Sequence, residues 1–192
     1  ITQTLALGGI TKGVKNIELN AAYAAIANGG TYIKPKLYTK VVDHDGNVIL
    51  DNTKPQTKQV IKATTAYLLT SAMEDVVKKG TGVACNFGGT AIAGKTGTTS
   101  DENDVWFSGY TTYYTATTWA GFDNNVDLTT SAQQHLAKTL WRKTMEEIHK
   151  GLPSTNFSVP DGIVTATVCS KSGKLPISGL CDGTLEQEYF AE

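Results

Sequence analysis

A surplus of charge is the first thing missing: 17 Lys and Arg stand against 18 Asp and Glu, a formal net charge of −1. Without a basic field the chain is a poor partner for nucleic acid. No apolar run approaches the ~18 residues of a bilayer-spanning helix, and residues 1–20 carry no signal-peptide pattern. No membrane contact is expected from this segment, and any export signal or anchor is expected outside it. Cysteine is scarce, at Cys85, Cys169 and Cys181 only, and neither a C-x-x-C pair nor a nearby histidine cluster suggests a metal. Neither metal nor organic cofactor is expected. Internal repeats are absent too. What is present is enough for one core: hydrophobic residues are 40% of 192 and charged residues 18%, too few for disorder.

In chain order, Leu5 to Val14 is a glycine-bearing loop leading into a helix over 17–28. Leu19, Tyr23 and Ile26 share one face, alanines fill the rest, and Asn28-Gly29-Gly30 stops it. From Thr31 the period becomes two: Tyr32 to Lys34 and Leu37 to Asp43 alternate, Asp45-Gly46 turns a hairpin, and Asn47 to Leu50 returns. A loop at Lys54-Pro55-Gln56-Thr57 precedes a second helix, capped by Thr64 or Thr65 and running to Lys79, with Ala66, Leu69, Met73 and Val76 or Val77 as its buried stripe. Gly80 to Gly89 is glycine-dense, which either brings backbone close to a ligand or only permits tight turning.

Thr90-Ala91-Ile92-Ala93 then reads as a strand tipped by Gly94-Lys95-Thr96-Gly97-Thr98-Thr99. Val105 to Tyr110 and Tyr113 to Phe122 complete a three-stranded antiparallel meander, with Trp106, Phe107, Tyr110 and Trp119 assigned to the core. Thr129 or Thr130 caps a long helix to Lys150 that turns Leu136, Leu140, Trp141, Met145 and Ile148 to the sheet. The tail from Leu152 carries Pro153, Pro160 and Pro176 and reads as loop with one strand at most. It looks too polar to bury thiols well, so an oxidising compartment would favour a local Cys169–Cys181 disulfide, with Cys85 left as a small buried hydrophobe. The fold class is α+β, an antiparallel meander covered by helices.

Two incompatible chemistries pass through Lys95. Gly89 to Thr96 satisfies the phosphate-loop pattern G-x-x-x-x-G-K-[ST], with Asp51 available as a metal-binding aspartate. That pattern acts only when a strand precedes the loop and a helix starts at the lysine, and here Lys95-Thr96 is followed by Gly97 and a polar turn. The alternative is a lysine on a strand edge, where a cation, two hydroxyls and a side-chain-free glycine receive a carboxylate.

Lys95-Thr96-Gly97-Thr98-Thr99, Asp104 to Thr111 and Trp119-Ala120-Gly121-Phe122-Asp123 together resemble the transpeptidase domain of class A penicillin-binding proteins. The resemblance extends to Ala22-Tyr23 with Asn28-Gly29-Gly30, to Val76 through Gly82, and to Val168-Cys169, Ser172-Gly173 and Cys181, covering nearly the whole chain. It implies the C-terminal portion of a serine penicillin-binding transpeptidase (β-lactamase-like) fold, with residues 1–151 in that domain and 152–192 a C-terminal extension that the Cys169–Cys181 disulfide would close.

The resemblance implies peptidoglycan cross-linking: an active-site serine takes the acyl group of a D-Ala-D-Ala stem peptide and passes it to an amine, and β-lactams acylate the same serine. Of that family's three motifs, S-x-x-K, S-x-N and K-T-G, only K-T-G is in place. The one literal S-x-N, Ser154-Thr155-Asn156, falls after the lysine, in a proline-flanked loop. By resemblance Lys95 hydrogen-bonds the missing S-x-N serine, Thr96 and Thr98 bind the substrate carboxylate, and the Thr98 N–H supplies half an oxyanion hole. Gly97 leaves room for substrate along the strand, and Thr81 and Gly82 form part of the cleft rim. The expectation is a piece of a larger enzyme at the outer face of the bacterial cytoplasmic membrane, inactive without an upstream segment carrying the serine motifs, with Ile1 not a natural start. The alternatives are a serine β-lactamase or β-lactam sensor, and a non-catalytic carboxylate-binding or scaffold module.

Overall fold

The structure, a computed structural model, describes residues 3–10 and 13–192. Helix α1 (Asn16–Ala27) buries Ala21 and Ala25, one turn apart, so close approach of backbone does the packing. Leu19, Tyr23 and Ile26 are only half-buried. The helix ends where Gly29 and Gly30 take positive φ, +60° and +87°. Gly30 has no substitute: a Cβ there would lie 2.1 Å from Ile61 O.

Strand β1 (Thr31–Ile33) pairs antiparallel with β4 (Thr57–Gln59), and β2 (Lys40–Val42) with β3 (Val48–Asp51) around Gly46 at φ +85°. The loop expected at Lys54 to Thr57 therefore runs into a strand. Thr57-Lys58-Gln59 is short and polar, and its partner lies a whole hairpin away, which leaves no local signal. Helix α2 (Ala63–Lys78) starts after Lys62, ahead of the expected Thr64 or Thr65 cap. It buries Ala66, Thr70 and Val77 and leaves Leu69 exposed. The hidden polar position is explained by its partner: Thr70 Oγ1 and Tyr110 Oη are 2.7 Å apart.

Strands β5 (Ala93–Thr98), β6 (Asp104–Tyr110) and β7 (Thr115–Gly121) form the expected antiparallel meander. A short helix α3 (Ser131–Gln134), capped by Thr130 and Gln133 in a capping box, leads into α4 (Leu136–Ile148). Helix α4 covers one face of the sheet. Trp141 stacks edge-on against Phe107 at 4.9 Å and donates its indole N–H to Ala116 O at 3.0 Å. Val77, Cys85, Ile92, Phe107, Trp141 and Met145 make up this core. The face α4 buries is Ala137, Trp141 and Met145 at four-residue spacing, whereas Leu136, Leu140 and Ile148, expected to face the sheet, are exposed.

Helix α1 packs on β6 and β7 from the other side, its Asn16 amide donating to Thr117 O at 3.2 Å. On that side Trp106 is half-buried and Trp119 is 38% exposed, so neither is the core residue expected. Their rings lie 6.2 Å apart, and the Trp119 indole donates to Asp104 Oδ1 at 2.7 Å. The tail holds two paired strands where one at most was expected, β8 (Ile163–Cys169) and β9 (Leu185–Ala191). This hairpin meets α2 through the Tyr67–Tyr189 ring contact at 5.2 Å and the Lys79–Glu186 ion pair at 3.4 Å.

Candidate active-site strand

Lys95 stands third in β5, followed by Thr96, Gly97 and Thr98. Thr90 to Ile92, expected as the start of this strand, are irregular, so the lysine lies within the strand instead of at its tip. No helix begins there, which removes the structural condition for a phosphate loop.

Among the described residues strand β5 is paired with β6 alone, leaving its other side an open edge. Thr99 N–H donates toward β6, to Asp104 O at 3.2 Å. Backbone groups alternate sides along a strand, so the N–H groups of Thr98 and Thr96 face the open edge. Side chains alternate as well. Lys95 lies opposite Ser108 and Gly97 opposite Trp106 on one face, while Thr96 opposite Phe107 and Thr98 opposite Val105 share the other. Ser108 went unnoticed in the sequence because only the pairing register makes it a neighbour of the lysine.

Lys95 is exposed; its Nζ donates to Thr96 O at 3.0 Å and reaches Thr96 Oγ1 at 3.4 Å. Among the described residues it forms no ion pair with a carboxylate. A cation with donors to spare thus stands beside outward backbone N–H groups, an arrangement suited to an anion and to an extended peptide adding along the edge. At Gly97 a Cβ would sit 3.2 Å from Trp106 Cβ, so any side chain would crowd this face.

The turn after α2 reaches the same strand. Thr81 Oγ1 and Thr96 Oγ1 are 2.8 Å apart. Gly82 is buried behind it, where a Cβ would meet Phe107 and Val76 at 3.2 Å each. Thr81, Lys95, Thr96, Gly97 and Thr98 therefore converge, with Gly82 set back against the core. A cavity of about 340 Å³ lies elsewhere, between the end of α1, the start of α2 and Phe157 to Pro160, and no β5 residue lines it.

Cys169 and Cys181 meet at the turn end of the β8–β9 hairpin as two thiols whose side chains hydrogen-bond. Both are buried, at 3% and 8% exposure, contrary to the expectation that this tail is too polar to bury them. The hydrogen bond from Cys181, aided by Thr184 and Ser172, draws the Cys169 thiol down to about 6. Cys85 is fully buried, as a small hydrophobe would be.

A family profile described as "Penicillin binding protein transpeptidase domain" matches residues 1–146, and another, "Penicillin-binding protein 1A, C-terminal domain", matches residues 159–192. The chain is 40% identical over 174 residues to penicillin-binding protein 1A of Clostridium botulinum, covering 90% of this chain and 21% of that protein. Its fold is similar to penicillin-binding protein 1A from Haemophilus influenzae, with TM-score 0.79, 24% identity, and coverage of 93% of this chain and 32% of that one. It is also similar to penicillin-binding protein PonA1 from Mycobacterium tuberculosis, with TM-score 0.68, 30% identity, and coverage of 76% and 41%. The chain spans about a fifth of the curated relatives' length, as the 21% coverage shows. The chain therefore belongs to the class A penicillin-binding protein family, with residues 1–146 in its transpeptidase domain and residues 159–192 in its C-terminal domain.

Proposed function

We propose that this chain is the K-T-G wall of a D,D-transpeptidase active site, completed by an upstream segment of the same protein that carries the S-x-x-K serine and the S-x-N motif. In this reading the serine Oγ attacks the penultimate D-Ala carbonyl of a stem peptide, D-Ala leaves, and the acyl group passes to an amine of a neighbouring stem. A β-lactam acylates the same oxygen. Lys95 keeps the cleft positive and hydrogen-bonds the S-x-N serine, and Thr96 and Thr98 take the substrate carboxylate. The Thr98 N–H donates to the carbonyl oxygen as it gains charge, a contact whose loss typically costs ~100- to 1,000-fold in rate. Gly97 leaves the strand open to substrate, Thr81 stands at the cleft's rim, and Gly82, set back behind it, lets the turn come that close. The complete protein works at the outer face of the bacterial cytoplasmic membrane, held by a segment outside this chain; no helix among the described residues is long and apolar enough to cross a membrane.

The observation that carries this reading is the open edge of β5, where an exposed Lys95, without an ion-pair partner among the described residues, stands beside an outward Thr98 N–H. Membership of the penicillin-binding family does not favour a serine β-lactamase, a β-lactam sensor or a non-catalytic scaffold. In the full-length protein, Lys95→Ala should slow acylation by a fluorescent penicillin at least ~100-fold. The melting temperature should barely move, since the side chain is exposed. Acylation at the parent rate would remove the role assigned to Lys95.

A further inference from the structure

The turn that follows α2 is built to hold one hydroxyl in place. Gly80 N–H and Gly82 N–H both donate to Val76 O, at 3.2 and 2.9 Å, clamping the chain on either side of Thr81. Both glycines are needed for the chain to double back so tightly: a Cβ on Gly80 would lie 2.9 Å from Val76 Cα, and one on Gly82 would lie 3.2 Å from Val76 O and from the Phe107 ring. The residue between them is exposed, yet its Oγ1 is 2.8 Å from Thr96 Oγ1. Lys95, on the other face of the strand, bends back over its neighbour, its Nζ reaching Thr96 O at 3.0 Å and Thr96 Oγ1 at 3.4 Å.

An ammonium donates and never accepts, so Lys95 can occupy only a lone pair of Thr96 Oγ1. The Thr81 hydroxyl takes up the remaining capacity of that oxygen, as donor or as acceptor, and so limits the rotation of the Thr96 hydroxyl. Without a partner at position 81 the Thr96 hydroxyl loses that restraint, and its contact with the ammonium is no longer fixed.

We propose that Thr81 is a positioning residue: it acts on catalysis through Thr96, orienting that hydroxyl and with it the Lys95 ammonium, and makes no contact with substrate. This inference rests on the reading of Lys95 given above and replaces a direct rim contact for Thr81 with an indirect one.

The test separates the two. In the full-length protein, β-lactam acylation is resolved into noncovalent binding and the acylation rate constant for Thr81→Val, Thr81→Ser and Lys95→Ala. Thr81→Val keeps shape and removes the hydroxyl, and one aligned hydrogen bond lost corresponds to a rate constant about 10-fold lower with binding unchanged. Thr81→Ser restores the hydroxyl and should return the rate constant to within about 2-fold of the parent. Three results would overturn the inference: Thr81→Val acylating at the parent rate, Thr81→Val changing only noncovalent binding, which would mark a substrate contact, or Thr81→Ser failing to rescue a fold that melts normally. If Lys95→Ala itself acylates normally, the fault lies with the proposed role of Lys95 and not with Thr81 alone.

Discussion

At Tyr110, burial and a hydrogen bond pull in opposite directions. Burial disfavours the phenolate and, despite the Thr70 bond that favours it, the hydroxyl is pushed up to about 12, against 10 for an ordinary tyrosine. Cys85 is pushed the same way, to about 12 from 9, by burial above all. Between the ordinary and the native values the folded state keeps protons that the unfolded state has released. Stability from these groups is therefore whole below pH 9 and declines as pH rises to about 12, by up to ~1.4 kcal/mol per pH unit for each. Tyr110→Phe should flatten the part of this decline above pH 10. At neutral pH it should cost only about 1 kcal/mol, because Thr70 Oγ1 keeps its bond to Ala66 O at 2.9 Å. Urea unfolding of the parent and variant proteins from pH 8 to 11 reads both effects, and parallel curves would refute the assignment. Residues of this kind were only partly legible in the sequence. Lys95, Thr96 and Gly97 stand out because a cation among hydroxyls and glycines has few structural uses. Trp119 misled, because a large aromatic in a strand does not announce whether a helix covers its face.

Among the elements, the meander was readable because its strands are consecutive and short turns join them, so local period and local pairing agree. Strand β4 was not, since it owes its existence to β1 across an intervening hairpin. Helix α4 was readable in extent and misread in facing. Ala137 offers no hydrophobic bulk to mark the buried stripe, yet its small size lets the helix come close enough for Thr118 Oγ1 to reach Ala137 O at 2.8 Å. The β8–β9 hairpin carries its own expectation. We propose that Cys169 and Cys181, already in side-chain contact as thiols, close to a disulfide in an oxidising compartment. The Cys169 thiolate attacks the disulfide of an oxidoreductase, and Cys181 then displaces that enzyme's thiol, so that two hydrogens leave this chain. Intact mass of protein secreted through an oxidising route should be lower by two hydrogens than after reduction, with Cys85 still alkylatable once unfolded. Two free thiols on the hairpin would end this proposal.

Over the whole molecule, the proposed chemistry is divided between this chain and residues it does not contain. The isolated chain, which holds Lys95 and Thr98 and no S-x-x-K serine, should take up no fluorescent penicillin, whereas the full-length protein should be labelled. Labelling of the isolated chain would mean that a nucleophile within residues 1–192 had been overlooked. The sequence could reveal the wall of a cleft, because a motif is local, but not what faces it, because a cleft is made by residues far apart in the chain.

The open side of β5 has one more consequence. Six residues of unpaired strand edge are an invitation for a second copy of the same strand to add on and for copies to stack. Charge is a common defence against such stacking, and here the charge is Lys95 itself. Two antiparallel copies would bring like charges together with no carboxylate between them. The lysine proposed to welcome a peptide's carboxylate thus also keeps the protein from treating its own strand as that peptide.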